Sequence, residues 1–318
     1  MDKEYVVGID VGGQTTKIGI VNRRGEIVKQ CVISSKYNAG EAALFEDAVA
    51  SAVEKLISES SLKKEQVKGI GMGAPDGNYY DGTIVDAMNL PWAKGRVTPI
   101  AADIKERTGL PVIVTNDANA AAIGEMTYGA AKGMKDFIMI TLGTGVGSGI
   151  VVNGSLVYGH DGFAGELGHT RIVRHNGRPC GCGLCGCLEA YASAIGVART
   201  AREWLDMSDE PSLLRKVDEI TSKDIFLAAE QGDALAIRVF EYTGRILGTA
   251  FADFVPFSAP EAIVLFGGLA RAWKYIEQPI LKAMNENVVF LWKNKVKLIH
   301  STLPESDAAI LGASALAW

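Results

Sequence analysis

Twice along its length this chain runs a short apolar strand into a glycine-rich turn and back out into another apolar strand. The first instance comprises residues 5–9, the turn Asp10-Val11-Gly12-Gly13-Gln14-Thr15-Thr16-Lys17, and residues 17–21. The second comprises residues 137–142, the turn Thr141-Leu142-Gly143-Thr144-Gly145-Val146-Gly147-Ser148-Gly149, and residues 149–152. Apolar runs of this length bounded by glycine read as strands around tight turns, and their recurrence predicts two related halves. With 318 residues, 48% of them hydrophobic, and 36 glycines, the chain suffices for one large or two medium α/β domains.

Between these turns the apolar spacing alternates. Residues 27–33 read as a third strand, while Leu44, Ala48, Ala52, Val53, Leu56 and Ile57 recur at helical spacing and predict an amphipathic helix over 42–58. A strand over 67–72 ends at Gly73-Ala74-Pro75, a helix closes over 104–108, and a strand at 111–114 ends the first half. Further helices are expected over 118–131, 188–205, 222–231, 233–254 and 307–316, with a strand at 262–266 before Gly267-Gly268. Residues 89–99 read as a loop.

Charge and composition exclude several classes. A formal charge of −5 with scattered basic residues gives no attraction to polyphosphate, so nucleic acid is not an expected partner. No apolar run approaches the roughly 18 residues of a membrane span, and Met1-Asp2-Lys3-Glu4 leads into the first strand without the look of a signal peptide. The cytoplasm is the expected compartment, with no membrane partner. Four of the five cysteines crowd into Cys180-Gly181-Cys182-Gly183-Leu184-Cys185-Gly186-Cys187, which fits a metal site in a reducing compartment better than a disulfide framework.

Several segments carry chemistry. Thiolates and a neutral imidazole are the ligands Zn²⁺ prefers in closed tetrahedral sites, and one histidine, His169 or His175, with three of the four clustered thiols completes such a set. Cys-x-Cys pairs are too close for easy disulfide bridging. The two glycine-rich turns suit backbone amides wrapped around phosphate oxygens, with threonine hydroxyls as further donors; each alone also suits an ordinary hairpin. Neither is a Walker loop or a dinucleotide fingerprint. Asp10, at the end of the first strand, suits either a hydrated Mg²⁺ or a turn cap. Asn116 and Asp117 fall at a strand-to-helix junction, where either can cap the helix and where a carboxylate can accept a proton from a substrate hydroxyl. Asn89-Leu90-Pro91-Trp92 suits a sugar contact or a loop anchor, and Gly267-Gly268 a flat base or a simple turn.

Taken in order, Asp10-x-Gly12-Gly13, Asn116-Asp117-x-Asn119, Leu142-Gly143-Thr144-Gly145-x-Gly147, Gly165-Glu166-Leu167-Gly168-His169, Cys180-x-Cys182-Gly183-x-x-Gly186-Cys187-x-Glu189 and Gly267-Gly268 resemble the ROK family and, within it, the bacterial glucokinases. The resemblance covers nearly the whole chain. It implies a two-domain α/β fold of the actin/hexokinase-like (ribonuclease H-like) kind with a central cleft: a small domain of residues 1–115 joined by the C-terminal helix 304–318, and a large domain of 116–303 with a zinc clip. It implies ATP-dependent phosphorylation of a hexose at the 6-hydroxyl, glucose first. Fructose, mannose, allose, N-acetylglucosamine and N-acetylmannosamine are the alternative acceptors, and a non-catalytic sugar-binding regulator is the alternative class.

By the same resemblance Asp117 is the catalytic base, and Asn89, Asn116, Glu166, His169 and Glu189 hold sugar hydroxyls. Asp10, Gly12, Gly13, Thr15, Thr16, Lys17, Thr144, Gly145, Gly267 and Gly268 hold Mg-ATP, and a structural Zn²⁺ sits on His169, Cys180, Cys182 and Cys187. A homodimer or homotetramer is implied. Gln14 stands where threonine is commoner, and Cys185 is an extra thiol among the ligands. Repressors of the family carry a helix-turn-helix domain before the first phosphate loop; with the first strand beginning by Tyr5, none is expected here.

Overall fold

Antiparallel pairing joins β1 (Tyr5–Val11), β2 (Thr15–Asn22) and β3 (Ile27–Ser34), the hairpins that the glycine-bounded apolar runs predict. The structure, a computed structural model, describes residues 3–304 and 307–318, so Met1, Asp2 and the part of the 304–318 segment at 305 and 306 lie outside the described residues. In α1 (Ala42–Glu59), Phe45, Val49, Val53 and Leu56 form one buried stripe in the core of the first sheet. Next come β4 (Val67–Gly73), the short antiparallel pair β5 (Ile84–Val85) and β6 (Val97–Thr98), α2 (Ile100–Thr108) and β7 (Val112–Thr115). The sheet order is β3-β2-β1-β4-β7, and β1, β4 and β7 run parallel.

The second half repeats this plan. α3 (Asp117–Tyr128) leads into β8 (Phe137–Leu142), β9 (Val146–Val152) and β10 (Ser155–Leu156), followed by α4 (Glu189–Ala192), α5 (Ala194–Asp206), α6 (Ser222–Glu230) and α7 (Ala234–Ser258). β11 (Ala262–Phe266), α8 (Trp273–Asn287), β12 (Lys297–His300) and α9 (Ala308–Ala315) complete it. The order β10-β9-β8-β11-β12 again sets a three-strand antiparallel meander beside parallel strands. Separate cores form around the two sheets, one on Phe45, Trp92 and Ile70, the other on Phe240, Phe251 and Leu265.

Helix α9 crosses back to the first sheet and packs on β1, β2, β4 and α3. Its backbone lies directly on two glycines: a Cβ on Gly8 would stand 2.1 Å from the Ile310 carbonyl oxygen, and one on Gly71 1.9 Å from that of Ala313. Only glycine allows so close an approach.

Several sequence expectations need correction. The single helix expected over 188–205 is two, broken at Ser193, whose extended backbone and hydroxyl cap α5 through the Gly196 amide. Within the expected loop 89–99, Val97 and Thr98 form a strand. Helix α8 was not expected, because Pro279 interrupts a segment of mixed polarity, yet the helix continues through it. Among the described residues no helix is long and apolar enough to cross a membrane.

Candidate active site

Parallel strands present their carboxyl ends along one edge, where open α/β sheets bind ligands. Register makes this concrete here: Asp10 of β1 pairs with Gly73 of β4, which pairs with Thr115 of β7. The residues that follow those three ends, Asp76, Asn116 and Asp117 among them, therefore face the same space as Asp10. From the second sheet, β8 and β11 deliver Gly143 to Gly145 and Gly267 to it. The result is one cavity of about 480 Å³ whose walls include Asp10, Asn89, Asn116, Asp117, Thr144, Gly145, Glu166, His169, Glu189 and Gly267.

Asn116 and Asp117 occupy the start of α3 together. The Ala118 amide donates to Asn116 Oδ1 at 2.9 Å and to Asp117 Oδ1 at 2.7 Å, so Asn116 caps the helix while Asp117 stands at its first turn, on the cavity wall. Asp117 is open to solvent on the cavity side, and the protein crowded around it partly desolvates the carboxylate and raises its pKa against the pull of the backbone amides. Asp10 is likewise pushed up, to about 6, first by burial and then by the charge of Asp117, with Lys17 opposing.

On the other wall Glu189 is held by its Oε2, which accepts from the Val146 amide at 3.0 Å, beside Gly145. A Cβ on Gly145 would sit 2.4 Å from that same oxygen. Glu166 and His169 occupy a short turn tied down by Ser148, whose hydroxyl donates to the Gly165 carbonyl and accepts from the Leu167 amide. Desolvation raises the Glu166 pKa, with His169 lowering it and Asp76, Asp117 and Glu189 raising it.

The ring of His169 faces two ways. Nε2 lies 4.0 Å from Glu166 Oε2 on the cavity side, and Nδ1 lies 3.6 Å from Cys180 Sγ. With Cys182 and Cys187, whose sulfurs are 3.7 Å apart, these groups put all four donor atoms within 4.8 Å of one another. A tetrahedron with zinc–sulfur bonds of about 2.3 Å has edges of about 3.8 Å, so the donor set fits Zn²⁺ in number, type and spacing. Cys185 is exposed and outside the cluster, and His175 is not part of it. A hairpin closed by Cys180 N–H to Leu184 O at 2.8 Å and Gly186 N–H to Arg178 O at 2.8 Å carries the thiols.

Other sequence candidates stand elsewhere. Thr16 is fully buried and hydrogen-bonds Ser35 Oγ at 2.7 Å, within the sheet. Gly12, Gly13, Thr15, Lys17 and Gly268 are near the cleft in sequence but do not form the cavity wall, although a Cβ on Gly13 would meet the Asn89 carbonyl at 3.0 Å. Trp92 is the loop anchor of the Asn89 segment, stacked on Phe45 with ring centroids 4.3 Å apart. Asp76 was missed. It lines the cavity with a left-handed φ of 53°, and its carboxylate makes no hydrogen bond among the described residues. Its signal was available in the sequence: an acidic residue in the turn directly after a parallel strand.

Two sheets of the same plan opening their parallel ends onto one polar cleft define an actin- and hexokinase-like fold. The profile of the ROK family matches residues 6–318, and the chain belongs to that family. It is similar to the glucokinase of Halalkalibacterium halodurans, at 42% identity over 88% of this chain and 85% of the relative. Among solved structures it is similar to a ROK family glucokinase from Streptomyces griseus in complex with glucose and AMPPNP, with 33% identity, a TM-score of 0.81 and 98% of each chain covered. It is also similar to a ROK family transcriptional regulator, a homologue of the E. coli MLC protein, with 27% identity and a TM-score of 0.87 over 98% of this chain and 77% of the regulator.

Proposed function

We propose that the chain is an ATP-dependent hexose kinase that phosphorylates glucose on its 6-hydroxyl to give glucose 6-phosphate and ADP. The observation that carries the reading is the convergence of carboxylates, amides and an imidazole with two glycine turns on a single cavity of about 480 Å³. A polyol needs hydrogen-bonding groups of both polarities, and Asn89, Asn116, Glu166, His169 and Glu189 supply them. Asp117 is the general base. It takes the proton of the 6-hydroxyl as that oxygen bonds to the γ-phosphorus and the bond from phosphorus to the β,γ-bridging oxygen breaks, leaving ADP.

The turns at Thr144-Gly145 and Gly267 belong to the nucleotide half of the cleft. Asp10 is the carboxylate suited to the hydrated Mg²⁺ that accompanies ATP and offsets phosphate charge. His169, Cys180, Cys182 and Cys187 would hold a structural Zn²⁺ that fixes the hairpin beside Glu189 and leaves no open position for chemistry. The proposed domains are residues 1–115 with 304–318, and residues 116–303, in keeping with the two cores and the return of α9. Clustered free thiols suit a reducing cytoplasm, and the family resemblance favours a homodimer or homotetramer.

ADP release measured with Mg-ATP across glucose, fructose, mannose, allose, N-acetylglucosamine and N-acetylmannosamine tests the reading. Glucose is expected to give the highest kcat/KM. Sugar binding without turnover would instead make the chain a regulator, the class of the similar transcriptional regulator.

A further inference from the structure

Two loops meet at the sugar end of the cleft, one from each sheet. The first, residues 74–83, follows β4 and carries Asp76; the second, residues 157–165, follows β10 and runs directly into Glu166. Among the described residues several contacts join them, including a tilted Tyr80–Tyr158 ring pair with centroids 6.1 Å apart. Tyr79 stacks on Tyr158 with ring centroids 3.9 Å apart and planes 9° from parallel. Tyr80 Oη donates to the Gly159 carbonyl at 2.6 Å. Asn78 Nδ2 donates to the Asp161 carbonyl at 2.6 Å, and Asn78 itself is only 6% exposed.

The second loop is anchored at its ends, by Val157 N–H to Ile150 O at 2.8 Å and by Ser148 on the Gly165 carbonyl, and the contacts with the first loop hold the span between. Gly159, Gly162 and Gly165 all have positive φ, of 74°, 93° and 102°, in a stretch of seven residues. Glycine loses more freedom on ordering than any other residue, so such a loop is costly to fix. The polar bonds closing it on itself include Ala164 N–H to Tyr158 O at 3.1 Å and Phe163 N–H to Asp161 Oδ1 at 3.2 Å. One residue past the last of these glycines stands Glu166, and His169 follows on the same short turn.

We infer that Asn78, Tyr79, Tyr80 and Tyr158 form a clasp between the two halves of the molecule that holds Glu166 and His169 in place for the sugar, with Tyr158 as its central positioning residue. The inference rests on the reading of Glu166 and His169 as sugar ligands. A loop ordered in advance spares the substrate that ordering cost, so the clasp acts on sugar affinity. The nucleotide turns hang from β8 and β11 instead and do not depend on it.

Steady-state kinetics of Tyr158→Ala, Tyr79→Ala, the double variant, Tyr158→Phe and Glu166→Ala test the clasp. Loss of the stacked pair should raise the KM for glucose about threefold to tenfold in Tyr158→Ala, with the KM for ATP changed less than about twofold. The double variant should fall short of the sum of the two single ones, because both changes remove the same stack. Tyr158→Phe keeps the ring and should restore a near-normal KM. Tyr79 is partly exposed, so Tyr79→Ala gives the same reading if Tyr158→Ala folds poorly. An unchanged glucose KM in the alanine variants, equal rises for glucose and ATP, or additive effects would overturn the clasp while a raised glucose KM in Glu166→Ala left the sugar site standing. A normal glucose KM in Glu166→Ala would refute the sugar-ligand reading itself, and with it the clasp's route to the substrate.

Discussion

Replacing Asp10 with asparagine should make the protein more stable and less active. A carboxyl whose pKa is raised from 3.8 to about 6 in the folded state disfavours folding once it is ionised. At ~1.4 kcal/mol per pH unit the cost is on the order of 3 kcal/mol. The sign follows from the direction of the displacement: below the unfolded value the group is protonated in both states and costs nothing, the cost grows as pH rises from 3.8 toward 6, and it is full above that. Asparagine keeps the shape without the charge. It should therefore stabilise by roughly 1–3 kcal/mol near neutral pH, or a melting temperature roughly 2–5 °C higher at this chain length. Calorimetric melts of the apoprotein at about pH 7.5 and about pH 4 would measure this, beside a Mg-ATP turnover assay in which activity should fall more than about tenfold. A lower melting temperature at neutral pH, or an equal rise at both pH values, would refute the argument that desolvation of this carboxylate opposes folding.

Asp117→Asn should lower kcat by on the order of 10² or more while calorimetry still registers glucose binding, since the amide keeps shape but cannot take a proton; near-normal turnover would remove Asp117 from the mechanism. Cys182→Ser should release bound zinc, lower the melting temperature and raise the glucose KM more than the ATP KM, whereas Cys185→Ser, outside the donor cluster, should be mild. Metal analysis of both purified variants decides between the thiols, and a metal-free, fully active wild type would sink the zinc assignment. In Gly145→Ala the new methyl must displace the Glu189 carboxylate from the Val146 amide, so kcat/KM for glucose should drop about tenfold with little change in melting temperature. Kinetics indistinguishable from wild type would show that Glu189 does not work from that position.

Much of this arrangement was legible because it is written in local patterns. Strands β8 and β11 fall where the apolar runs place them, and the duplicated strand-turn-strand pattern is the duplicated meander of the two sheets. The site candidates Asp117, Asn116, Glu166, His169 and Glu189 share the cavity because each adjoins a strand end or a glycine turn. What periodicity could not reveal was decided by tertiary context. Pro279 lies inside α8, and Ser193 divides a run whose apolar spacing is continuous because its hydroxyl satisfies the next helix. Thr16 sits in a phosphate-like turn, yet strand alternation turns its side chain inward onto Ser35. Asp76 belongs to no motif, although its turn after a parallel strand is a sequence clue, and the neighbouring positions of β1, β4 and β7 in one sheet make that turn face Asp10 and Asp117.

The placement of α9 also bears on the order of folding. On a ribosome β1 and β4 emerge some 240 to 300 residues before the segment Ala308–Ala315 that their glycines receive. During that interval the bare backbone of Gly8 and Gly71 lies on an unfilled sheet face, and the growing polypeptide must carry it without its own cover. Contacts so distant in sequence close slowly, so the first sheet should gain its full protection from hydrogen exchange late, after the second sheet has formed around β8 and β11. A nascent form ending before α9 would expose the apolar groove over Gly8 and Gly71, a surface that a chaperone would meet and that the finished molecule hides.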